Sequence, residues 1–111
     1  MNVKKVSELI EKGKLKNLAK QCVSIVKSST LKDDEIIMFI SSAILDLERQ
    51  DIEVEKNIED YLIKGAIVLY VKANFGMVDI KEKETAHKRY IELSNNLSLS
   101  SEYKKGVDEN V

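Results

Sequence analysis

The residues of this 111-residue chain best suited to chemistry are few and scattered. His87 is the single histidine, and Glu84 three residues before it supplies half of a carboxylate-bridged metal motif whose matching half is absent. Asp33, Asp34 and Glu35 form an acidic run. Consecutive residues on a helix point in different directions, and no other His or carboxylate set supplies the missing ligands. The run suits a helix start instead, where free backbone N–H groups and the helix dipole favour negative charge. Cys22 stands alone on an apolar face with no histidine near it in sequence, which reads as a small core residue rather than a nucleophile. The four glycines are dispersed, so none forms a phosphate-cradling loop. No catalytic, metal-binding or cofactor-binding residue emerges, and the chain reads as a non-enzyme without a cofactor.

Charge is the stronger signal. Residues 1–32 hold eight lysines against Glu8 and Glu11, a net +6, whereas residues 33–60 hold ten acids against Arg49 and Lys56, a net −8. Two packed helices of one chain could complement each other in this way, or both faces could simply be solvated. Alternatively the basic flank of one subunit meets the acidic flank of the next, with Lys12, Lys14, Lys16 and Lys20 facing Asp46, Glu48, Asp51 and Glu53. The same lysines allow sequence-independent contact with nucleic-acid phosphates. Aromatic residues are not interleaved with them, and no recognition helix is evident.

The elements that must position these groups are helical. The chain has no proline, and only 5% of its residues are aromatic, which with 111 residues favours a single all-α domain: a small bundle of about four helices. One cysteine excludes an internal disulfide, and the N-terminus has no signal-peptide core, which points to a reducing cytosol. The bundle is organised around residues 58–76, apolar from Ile63 to Val71 except at Lys64 and Gly65, yet too short to span a bilayer. Asn57 or a neighbour caps this helix, Gly76 ends it as a left-handed cap, and Gly65 marks a place where another backbone comes close.

Before it, Val6, Leu9 and Ile10 define a short helix, with a break near Gly13 and a second helix through Leu15, Leu18, Ala19, Cys22 and Val26 that ends near Ser28, Ser29 and Thr30. Ser29 or Thr30 then caps an amphipathic helix carrying Ile36, Phe39, Ile40, Ala43, Ile44 and Leu47, and a polar connection follows around Ile52 and Val54. After Gly76, Asp79 and Glu82 have the form of a capping box, opening a helix whose Ala86, Tyr90, Leu93 and Leu97 share one stripe. The domain is expected to occupy residues 1–103, and residues 104–111 to form a flexible tail.

From the central helix onward the sequence resembles a known family. An apolar helix ending Tyr70-Val71-Lys72-Ala73-Asn74-Phe75-Gly76, a short turn, an amphipathic helix containing Tyr90, and a Leu-Ser-Leu-Ser-Ser-Glu-Tyr ending at Tyr103 are similar to the head–tail connector, or head-completion, proteins of long-tailed bacteriophages and prophages. The resemblance implies a non-catalytic virion neck protein, made in the host cytoplasm and assembled as a ring beneath the portal. Its implied partners are the portal, a downstream neck or tail-completion protein, further copies of itself and, without sequence preference, packaged DNA; a membrane is not among them. It marks Tyr70, Lys72, Phe75, Gly76, Tyr90 and Tyr103 as core or interface residues. The reading that competes with it is a small cytosolic regulator binding DNA or protein through the lysine-rich N-terminal segment.

Overall fold

In a computed structural model the chain is described over residues 1–27 and 33–106. Five helices follow one another: α1 (Val3–Glu11), α2 (Lys16–Val26), α3 (Asp34–Arg49), α4 (Tyr61–Phe75) and α5 (Ile80–Leu99). The fold is all-α. The turn between Glu11 and Lys16 separates α1 from α2 at the break expected near Gly13, which brings the bundle of about four helices to five. Gly13 carries a φ of +83° there, which an L side chain adopts only with strain.

Local chemistry explains most helix starts. Asn2 caps α1 by accepting from the Lys5 N–H at 2.9 Å. Asp33, not Ser29 or Thr30, caps α3, its Oδ1 accepting from Glu35 N–H at 2.8 Å; the two residues expected in that role lie outside the described residues. Asp60, not Asn57, caps α4 through the Leu62 N–H at 2.8 Å, so that helix begins three residues later than expected. Asn57 instead donates its side-chain amide to the Glu53 carbonyl at 2.7 Å. Asp79 accepts from the Glu82 N–H at 2.8 Å, as the capping-box pattern required.

α4 sits at the centre, packed against α2, α3 and α5. Ile63, Ala66, Ile67 and Val71 are buried on it, while Leu62, Val68, Leu69 and Tyr70 are only partly covered, so part of its apolar surface still faces solvent. Facing it, α3 contributes Ile36, Ile40, Ala43, Ile44 and Leu47, and α5 contributes Ala86, Tyr90 and Leu97. Val6, Leu9 and Ile10 of α1 and Leu18, Ala19 and Cys22 of α2 complete one core cluster.

Three expectations about the joints are corrected. Gly76 is extended (φ −66°, ψ 143°) rather than left-handed; a Cβ there would lie 2.5 Å from the Lys72 carbonyl oxygen, so close approach and not handedness demands glycine. Gly65 meets no close backbone among the described residues of its own chain, since nothing lies within 4 Å of where its Cβ would be. The connection between α3 and α4, expected to be polar, buries Ile52, Val54 and Ile58.

Ile52 pairs with Lys104 in an antiparallel bridge, flanked by hydrogen bonds from Glu53 N–H to the Tyr103 carbonyl and from Lys105 N–H to the Asp51 carbonyl, both 2.6 Å. The segment after α5 thus straps back over the α3–α4 connection. The expected tail, 104–111, begins inside this strap; residues 107–111 lie outside the described residues. Among the described residues no helix is long and apolar enough to cross a membrane.

Candidate functional site

Three of the six residues singled out in sequence, Tyr70, Phe75 and Tyr90, come together where α3, α4 and α5 meet. Phe75 stacks on Phe39 with centroids 4.0 Å apart, and Tyr90 meets Tyr70 edge-on at 5.3 Å. The Tyr90 hydroxyl donates to Asp46 Oδ2 in a short hydrogen bond, and Gln50 Nε2 donates to the same oxygen at 3.1 Å. Burial, reinforced by the Asp46 carboxylate, pushes the Tyr90 phenol far above its usual range and raises Tyr70 as well. Gln50 was not foreseen, because a lone polar residue at a helix end carries no periodic signal. This node ties α3 to α5 across α4 and is structural in its chemistry.

The other three lie elsewhere. Lys72 is partly buried and lines a cleft of about 290 Å³ between α4 and α5 with Asp79, Lys81, Glu82 and Arg89. Gly76 terminates α4. Tyr103 sits on the strap, its hydroxyl donating to Asp60 Oδ2 at 2.9 Å while Asp60 Oδ1 caps α4.

The charged residues separate into two groups. Lys12, Lys14, Lys16 and Lys20 are all exposed. Among the described residues the only ion pair is that of the Met1 amino group with Glu48, at 2.7 Å, and none of these lysines pairs with a carboxylate among them. On the acidic side Asp46 is held by Tyr90 and Gln50, and Glu48 by Met1. Asp51 is exposed and Glu53 partly buried, both on the strand-like edge that receives the strap. Among the described residues no side-chain ion pair joins the lysines of the +6 block to the acids of the −8 block.

Open grooves flank the bundle. One of about 470 Å³ runs between α2 and α4, lined by Asn17, Leu18, Gln21, Tyr61, Lys64 and Gly65 and continuing to Val68 and Leu69. Another, about 660 Å³, lies between α1 and α3, where Val3, Ile37 and Met38 are rimmed by Glu8, Glu11 and Asp34. His87 and Glu84 are exposed on α5 beside Lys83 and Lys88. Among the described residues no three His, Cys, Asp or Glu side chains are grouped to hold a metal. Cys22 is buried, and burial pushes its thiol up to about 12, which keeps it protonated and unreactive.

Surfaces of this kind, open and apolar with uncompensated charge, suit protein contacts more than catalysis. The family model described as phage connector protein matches residues 17–104, from the first turn of α2 to the bridge at Lys104. The chain belongs to the phage connector family. Its role is that of a structural connector protein of a phage. No curated protein and no solved structure gives a significant match. The family match takes in both sides of the α2–α4 groove, the aromatic node and the strap. It leaves out α1, with Lys12, Lys14 and Lys16.

Proposed function

We propose that this connector is a neck subunit of the virion. It assembles with further copies as a ring beneath the portal, completes the DNA-filled head and offers the attachment surface for a later neck or tail protein. Membership of the connector family over residues 17–104 carries this reading. Lys12, Lys14, Lys16 and Lys20, exposed and without an ion pair among the described residues, support it, because such charges are available to carboxylates of a neighbouring subunit. The acidic block from residue 33 to residue 60 is the complementary side, with Asp51 exposed and Glu53 partly so. The same lysines face packaged DNA where the ring surrounds it, a contact with phosphates that reads no sequence. Synthesis takes place in the host cytoplasm and the finished protein resides in the virion neck.

The test is the mass of the purified protein in solution over a range of salt concentrations, alone and with the portal protein of the same genome. Salt-sensitive self-association or binding to the portal is the expected result. A strict monomer that never binds the portal would sink the reading.

A further inference from the structure

We infer that the outward stripe of α3 and the groove between α2 and α4 are the two halves of one head-to-tail contact between copies of this chain; the inference rests on the self-assembly proposed above. On α3 the residues Glu35, Met38, Ser42, Leu45 and Arg49 recur at alternating steps of three and four, opposite the buried Ile36, Ile40, Ala43, Ile44 and Leu47. Met38 and Leu45 on this stripe are 51% and 47% exposed. Met38, at the edge of the α1–α3 groove, and Leu45 give the stripe a ridge of two exposed apolar side chains seven residues apart, about 10 Å along the helix at 1.5 Å per residue.

The groove repeats that spacing. Tyr61, 78% exposed, and Val68, partly buried, stand seven residues apart on α4, and Gly65 between them leaves a dip with nothing within 4 Å of its missing Cβ. Leu18 of α2 adds to the apolar floor, and Asn17 and Gln21 form the polar wall. A helix lying along this groove can approach α4 closely at Gly65, as small residues permit wherever helices pack. The glycine costs α4 about 1 kcal/mol of helix propensity, and nothing in its own chain requires it.

Charge selects the occupant. The groove is lined by no carboxylate; Lys64 is its only charged lining residue, and Lys16 and Lys20 are exposed nearby on α2. The ridge opens with Asp34 and Glu35, both exposed, about one turn before Met38. None of these five makes an ion pair among the described residues. Ridge and groove match in length, the N-terminal end of the ridge at Asp34 and Glu35 opposes the groove in sign while Arg49 closes its other end, and both are carried by every copy. A contact between different patches of identical subunits is heterologous, so it propagates around a ring rather than stopping at a dimer.

The experiment uses the full-length protein, alone and with the portal of the same genome, in sedimentation velocity, comparing wild type with Leu45→Glu and Gly65→Glu. Both positions are outside the buried core, and circular dichroism melts confirm folding of each variant. The expected result is roughly tenfold or greater weakening of self-association in each variant, with portal binding of the single subunit retained. A mixture of the two variants should recover a dimer and nothing larger, because only one competent ridge and one competent groove remain per pair. Wild-type-like assembly of both variants would overturn the inference and leave the ring reading standing. Loss of portal binding with self-association intact would overturn it in favour of a portal segment in the groove. A wild type that never self-associates, even on the portal, would remove both readings together.

Discussion

The Tyr90 hydroxyl and the Gln50 amide converge on one carboxylate, Asp46, in the interior of the bundle. Tyr90→Phe should cost about 1–2 kcal/mol in chemical denaturation, since it leaves a partly buried carboxylate with one donor fewer. Combined with Asp46→Asn the two losses should be markedly non-additive, as expected for groups in one network. Cys22 gives the molecule an alkaline weakness. Its thiol titrates at 9.0 in the unfolded chain and about 12 in the folded one. The folded state therefore holds the proton where the unfolded state releases it. This contribution to stability is whole below pH 9.0 and is lost progressively as pH rises toward about 12. Melts recorded across that window should fall in wild type and fall less steeply in Cys22→Ala, and thiol reagents should label native Cys22 only at the rate of unfolding.

Gly65 within α4 and Gly76 at its end respond to alanine in opposite directions. Gly65→Ala adds a methyl group that meets nothing and removes an interior helix glycine, so it should stabilise the isolated chain by about 0.5–1 kcal/mol. Gly76→Ala drives a Cβ into the Lys72 carbonyl and should destabilise by about 1–3 kcal/mol. A pair of thermal melts checks both signs. The strap is also an element with its own signature. In Tyr103→Phe the hydroxyl that donates to Asp60 is gone while the α4 cap persists, so amide exchange at Glu53 and Lys105 should accelerate and that of the α5 interior should not. Equal acceleration along α5 would mean that the strap and bundle open as one unit.

For the whole molecule, the scarcity of internal ion pairs separates folding from association. With the Met1–Glu48 contact the only one among the described residues, unfolding free energy should change little from low to high salt, whereas assembly should respond strongly. Parallel denaturation and sedimentation series measure the two responses. A bundle whose stability tracked salt as steeply as its association would argue that the charge blocks act within the subunit.

Composition determined the all-α class, and local pattern determined the stripes on α2, α3 and α5, the acidic first turn of α3 and the capping box of α5, because each follows from residues close in sequence. The apolar run around Ile63 to Val71 likewise placed α4 at the centre. Local pattern could not choose among capping residues near Asn57, and in the structure the Asp60 carboxylate makes the cap, so the helix starts at Tyr61. Nor could it locate Ile52 against Lys104, or Tyr90 against Asp46, which are brought together across 52 and 44 positions by packing. The charge blocks were legible as numbers, but that the lysines remain unpaired is a property of distance. The tertiary structure decided this by turning the basic side chains of α2 outward and engaging Asp46 and Glu48 within the chain, which leaves the lysines without a carboxylate partner among the described residues.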